Sequence, residues 1–518
     1  MHTSYRNEHQ QKRKNETIHI IFNFLGTTFF VLAGILLFPL SIAVITGEIH
    51  DLSIVKAFVY PAALSCVIGA VLKKVFSGGN PNIFQAMLVC GLGWVSFSAL
   101  GAFPFVIGVK AAYLDSFFEA MSGFTTTGIT LFTGLDMMPR TIVFWRSFTQ
   151  WLGGIGILTF FLVVTYRGRS VHHLFGAESH KIRVCRPVPG LINTVKILLT
   201  IYAGFTCGVA AALCAAGMSL FDSVCHSFTA LSTGGFSPHD ASIGYYQLVG
   251  YPHAQAIEYI LIVGMIAGGT NFLIHYRVLK GNIKALWDNT EMKYWWVLIG
   301  GFVLIIFVER TLRVAPLVSN LETLAQVEET FRAVLFQVVA LLTTTGFSTQ
   351  DIASPFFGEG ARQLFLVMMV IGGCVGSTGG GFKVMRIAVL EKLIRREVYR
   401  LRTPRQTVST VLIDGKPVSM DEIQRVSGLF FMWIILLIVG GVITASLSQL
   451  GGYESFSGMF SAVGNIGPSF ISVEEMISFN PVIKLVYIFG MLAGRLEILP
   501  VLLLFSPGAW YPKGSVRR

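Results

Sequence analysis

Stretches free of Asp, Glu, Lys and Arg recur along the chain at residues 18–47, 81–109, 197–221, 364–382 and 426–453. A helix needs about 20 mostly apolar residues to cross the hydrocarbon of a bilayer, and each run meets that requirement. The polar segments between them carry mainly positive charge, at 1–17, 73–74, 167–186, 277–293, 383–425 and 513–518. This alternation predicts an all-α polytopic membrane protein. The positive-inside rule puts those basic segments, and with them both termini, on the cytoplasmic side of a plasma membrane.

Composition agrees. Of 518 residues, 53% are hydrophobic and 13% charged, with a mean hydropathy of +0.66; soluble domains average about 25% charged residues. The net charge of +11 does not point to nucleic acid, because topology already accounts for its placement. The basic residues ahead of 18–47 suggest a signal peptide. That run is about twice a usual signal core and lacks a small-residue cleavage site, so a retained helix is expected. The seven cysteines are scattered without a CxxC pair, which implies neither a disulfide framework nor a zinc site.

The chain repeats itself. LDSFFEAMSGFTTTGIT (114–130), FDSVCHSFTALSTGGFS (221–237), RAVLFQVVALLTTTGFS (332–348) and YESFSGMFSAVGNIGPS (453–469) align without gaps. Their shared glycines, Gly128, Gly235, Gly346 and Gly467, return about every 110 residues, the mark of a duplicated structural unit. Asp115, Asp222 and Glu454 hold one aligned acidic position, where the third copy has Ala333. Each unit reads as a long helix, a half-length helix, a Gly/Thr/Ser turn, a polar loop and a second, glycine-rich helix. The expected organisation is an N-terminal two-helix hairpin (1–76) and four pseudo-fourfold helix–pore loop–helix repeats (77–190, 191–290, 291–425, 426–518), the third including a basic cytoplasmic segment. That gives ten spanning helices and four half-helices.

Unwound backbone at membrane depth is tolerated only inside protein or along a water-filled path. Four such turns about one axis would present a ring of carbonyl oxygens, which can replace the hydration shell of a potassium ion. The residues expected to form that ring are Thr126, Thr127 and Gly128; Thr233, Gly234 and Gly235; Thr344, Thr345 and Gly346; and Asn465, Ile466 and Gly467. Half-helices such as 115–125 would aim the negative ends of their dipoles at the axis. On this reading the main chain matters more than the threonine hydroxyls.

The turns TTTGIT, STGGFS, TTTGFS and GNIGPS, together with QWLGGIGIL (150–158), GGCVGSTGGGFKVMR (372–386) and GRLEILPVLL (494–503), closely resemble those of the Trk/Ktr/HKT superfamily of potassium transporters, in its TrkH/TrkG branch. The resemblance covers nearly the whole chain. It implies four filter glycines, potassium as the transported ion with no organic cofactor, a homodimer with one pore per subunit, and a cytosolic TrkA-like nucleotide-binding partner. Sodium-preferring relatives often carry serine at the first filter position; Gly128 here favours potassium.

The resemblance also supplies gate candidates. Arg495 interrupts the last apolar helix about 21 Å beyond Pro481 at 1.5 Å per residue. It reads as an electrostatic barrier beneath the filter or as a structural partner of Glu497. The run holding Gly372, Gly373, Gly376, Ser377, Thr378, Gly379, Gly380 and Gly381, followed by Lys383, reads as an intramembrane plug or as close packing of small residues. No Gly-Lys-Ser/Thr follows, so it is not a phosphate loop. His239, Asp240 and Asp351 either enrich cations at the mouth or are solvated loop residues. Arg146, placed near a helix end, is expected to snorkel. Segment 383–425 is a docking surface for the partner or a purely topological charge cluster.

Inward potassium flow down its gradient, gated from the cytosol, is the leading expectation. Symport of potassium with protons or sodium, or a sodium-permeable member of the same superfamily, are the alternatives. An intramembrane enzyme is disfavoured, because fourfold repetition of one loop does not suit a single catalytic centre.

Overall fold

The computed structural model describes residues 2–167, 191–314, 324–404 and 409–510. The basic segments expected at 168–186 and 513–518 lie outside the described residues. The principal helices are α1 (His2–Leu37), α2 (Leu52–Val75), α3 (Ile83–Gly101), α4 (Tyr113–Phe124), α5 (Arg140–Arg167), α6 (Leu191–Ala215), α7 (Leu220–Leu231), α8 (Ala254–Gly269), α9 (Phe272–Leu279), α10 (Thr290–Val314), α11 (Leu324–Leu342), α12 (Glu359–Ile371), α13 (Val384–Leu401), α14 (Met420–Leu447), α15 (Gly452–Gly464), α16 (Pro481–Arg495) and α17 (Leu499–Phe505). Strands β1 (Leu412–Ile413) and β2 (Lys416–Pro417) pair antiparallel. Their turn, Asp414–Gly415, has positive φ at both residues, which the Asp-Gly sequence favours. Asp414 also accepts hydrogen bonds from Thr290 N (2.6 Å) and Thr290 Oγ1 (2.7 Å), capping α10.

Among the described residues, six helices are long and apolar enough to cross a membrane, and α8 with α9, bent by 106°, would make a seventh. Two of the return helices break where glycines cluster: α8 stops at Gly269, and α12 stops at Ile371 ahead of the glycine run. Glycine is among the poorest helix formers, so apolar length alone overstates helix length there.

The residues group into two compact units. The first comprises 1–121, 137–145 and 496–518. Its hairpin, α1 against α2, crosses at Gly26 and Gly69; a Cβ on either would approach the other's carbonyl oxygen to 3.1 or 3.0 Å. Nearby, Ser65 Oγ donates to Phe29 O at 2.7 Å. Glu48 accepts from the N–H groups of Arg140 (2.7 Å) and Thr141 (2.9 Å), satisfying the start of α5.

The second unit comprises 122–136 and 146–495. Tyr202, Leu261, Phe272, Trp295, Phe336 and Phe365 sit at the centre of its apolar core, all fully or almost fully buried. The four Gly/Thr turns and the glycine run all belong to this unit.

Gly69→Ile should force α1 and α2 apart at a cost of about 1–3 kcal/mol and lower the unfolding temperature in detergent. Gly34→Ala, where a Cβ meets nothing within 4 Å, should leave it unchanged.

Candidate functional site

Helices α4, α7, α11 and α15 all end alike. Thr126 N donates to Gly123 O and Thr127 N to Ser122 O; the pairs Thr233–Ala230 and Gly234–Thr229, Thr344–Leu341 and Thr345–Ala340, and Asn465–Ala462 and Ile466–Ser461 repeat this pattern. This is the Schellman ending, whose left-handed residue is usually glycine. Here Thr126, Thr233, Thr344 and Asn465 fill it, with φ of 51°, 54°, 60° and 53°. Two residues on, Gly128, Gly235, Gly346 and Gly467 also take positive φ, from 77° to 107°. The half-helix expected at 115–125 spans Tyr113–Phe124, and α11 is extended at its start, where Arg332 pairs with Glu258 at 2.8 Å and with Glu328.

The four glycines meet. A Cβ on Gly128 would collide with Gly234 O, one on Gly235 with Thr345 O, and one on Gly346 with Ile466 O; on Gly467 it would lie 3.1 Å from Thr127 O. First touches second, second third, third fourth, and fourth first. All four line one cavity of about 950 Å³, which His239, Asp240 and Asp351 also line.

The hydroxyls contribute more than expected. Thr125 Oγ1 and Thr127 Oγ1 share a 2.7 Å hydrogen bond, and Thr343 and Thr345 one of 2.8 Å. Asn465 Nδ2 donates to Thr127 Oγ1 (2.9 Å) and to Met491 O (2.8 Å).

The glycine run 372–381 packs against the helix ends that precede the ring. Thr378 Oγ1 donates to Leu231 O (2.8 Å) and Gly268 O (3.0 Å), and Gly380 N donates to Thr344 Oγ1 (2.7 Å). Gly373 N bonds to Gly380 O at 3.3 Å, and Gly372 and Gly381 lie so close that a Cβ on either would overlap the other. Gly376 O accepts from Phe272 N, and Ser377 Oγ accepts from Gly379 N. Lys383, with φ of 83°, donates to Gly379 O. The Glu291 carboxylate, in the first turn of α10, holds Val375 N at 2.7 Å. Arg495 is 2% exposed and donates to Thr378 O (2.6 Å) and Gly153 O (2.9 Å), so its guanidinium binds the run directly.

Arg146 does not snorkel. It is 1% exposed, bonds to Ser237 O (3.1 Å) and Thr130 Oγ1 (3.2 Å), and lies 4.2 Å over the Phe236 ring. Gln150, one turn further along α5, was not singled out from the sequence; its Nε2 donates to Gly234 O at 2.7 Å and its Oε1 accepts from Phe236 N at 3.0 Å. The available signal was a lone amide, one turn after Arg146, at the head of the QWLGGIGIL stretch. His239 is braced: Nδ1 lies 2.5 Å from Asp136, Nε2 3.6 Å from Asp222, and its ring stacks on Tyr245 at 3.6 Å. Asp240 accepts from Leu135 N at 3.2 Å. Asp351 accepts from Ala353 N in an exposed turn.

The fold is that of a membrane transport protein. Residues 54–511 match the family model "TrkH: Cation transport protein", and the chain belongs to that family. It is 31% identical over 499 residues to the Trk system potassium uptake protein TrkH of Escherichia coli K12, covering 94% of this chain and 98% of that protein. The TrkH of Halomonas elongata is 30% identical over 506 residues, covering 95% and 99%. The crystal structure of the potassium transporter TrkH from Vibrio parahaemolyticus superposes with a TM-score of 0.83 at 29% identity, covering 95% of this chain and 99% of that one.

Burial opposes charge on His239, but the Asp222 and Asp136 carboxylates outweigh it and lift its pKa above 6.5. A pKa raised by folding gives stability that is complete below the unfolded value and fades as pH climbs through the folded one. The unfolding temperature of the wild type should therefore exceed that of His239→Gln most below pH 6.5, and the gap should narrow as pH rises above that value. A difference independent of pH would argue against the ion pairing.

Proposed function

We propose that the protein takes potassium into the cell through the four-glycine ring, which acts as a carbonyl-lined selectivity filter. The closed cycle of glycine-to-carbonyl contacts between the four repeats supports this reading most directly. Each filter glycine lies where a side chain would push the neighbouring carbonyl out of place, so ring geometry and glycine identity are coupled. The named activity of the relatives adds potassium as the cargo. The wide cavity on the glycine side suits an outer vestibule, and the buried glycine run with Arg495 suits a gate on the cytosolic side. A guanidinium near the ion path repels a cation, and at membrane depth such a charge is costly enough to imply a use. A homodimer and a TrkA-like regulatory partner fit the same assignment, the partner docking on the basic segment 383–425.

Rubidium and sodium uptake in cells without their own potassium importers tests this. Gly128→Ser should cut the preference for rubidium over sodium by roughly tenfold or more, since its side chain displaces a carbonyl of the ring. Unchanged sodium exclusion would overturn the filter assignment. Arg495→Ala should raise rubidium entry severalfold, and unaltered entry would remove the barrier role. Uptake that follows voltage and ignores proton and sodium gradients separates this reading from symport.

A further inference from the structure

The four turns share a backbone but not their bracing. In the first and third, threonine hydroxyls two residues apart bond each other, Thr125 with Thr127 and Thr343 with Thr345. In the fourth, Ser461 Oγ accepts from Gly467 N at 3.0 Å. The second turn has Gly234 where the first and third have Thr127 and Thr345, so the equivalent of that hydroxyl pair cannot form with Ser232. Gln150 occupies the freed space: a Cβ on Gly234 would run into its carboxamide. The Gln150 side chain is fully buried and grips Gly234 O and Phe236 N, the main chain on both sides of Gly235.

We propose that Gln150 is a positioning residue for ion selectivity, holding the second filter turn in register from α5 as the threonine pairs do within the first and third turns. This rests on the glycine ring being the ion path. An amide can donate and accept at once, and both capacities are used here. The carbonyl it holds, Gly234 O, is the one against which Gly128 packs, so slack in this turn opens the ring where first and second repeats meet. Arg146 grips Ser237 and Thr130 further along the same strands.

Rubidium and sodium uptake by the full chain in liposomes tests the proposal, with thermal unfolding as the check on folding. Gln150→Met keeps length but loses both hydrogen bonds, and should lower rubidium-over-sodium preference by roughly tenfold while rubidium still passes. Gly234→Thr alone should also lower it, through the clash with Gln150. Gln150→Ala combined with Gly234→Thr removes the clash and restores a hydroxyl near Ser232, and should return the preference to within about threefold of wild type. Wild-type preference in folded Gln150→Met overturns the proposal, as does a double variant no better than the worse single one. If Gln150→Met does not fold, the double variant alone decides by the same criterion. Gly128→Ser is run in parallel: if it too excludes sodium normally, the filter reading has failed, whereas loss of discrimination in Gly128→Ser alone condemns only the role of Gln150.

Discussion

Main chain that leaves helix geometry away from water must find partners for its N–H and C=O groups, at several kcal/mol for each one missed. The second unit meets this demand four times in one manner. Each short helix closes with two crossed backbone bonds, and the chain then turns through a left-handed residue and a glycine. A β-branched residue in that conformation costs about 1–2 kcal/mol, comparable to the roughly 1 kcal/mol net value of a hydrogen bond. The hydroxyl and amide contacts around Thr126, Thr233, Thr344 and Asn465 therefore decide whether the turns persist. Once fixed, their glycines fit against one another in a cycle that leaves no room for a methyl group at the first three contacts.

The same constraint shapes what lies around the ring. Glycines on the return segments, Gly153, Gly268 and Gly494, stand where a Cβ would strike Phe124 O, Leu231 O and Val463 O, the last-turn carbonyls of three short helices. The polar run 372–381 is buried throughout and anchored by side chains from several directions: Thr344, Glu291, Lys383 and Arg495. Its bonds either cross to other segments or close short turns within the run, and none of them builds a helical ladder.

Much of this was legible in the residues. Alignment of the four copies picks out the ring glycines, because each repeat must supply the same backbone shape, and the ends of the four helices that precede them follow within two residues. Other features left weaker traces. The break after Gly269 was not visible, since glycine in an apolar run reads equally as close packing or as interruption, whereas the run from Gly372 already read as a plug or as close packing. Gln150 and Arg146 have no counterpart in the other repeats, so self-similarity could not find them. Their meaning comes from Gly234, whose missing side chain becomes informative only when its neighbours are known.

The Asp414 turn carries a mechanical implication. It caps Thr290, and the adjoining residue, Glu291, holds Val375 in the buried run. A single peptide link thus joins a surface hairpin to the interior irregular segment. The surface turn and the buried run are tied to two consecutive residues at the start of one helix, so the register of that helix end bears on both.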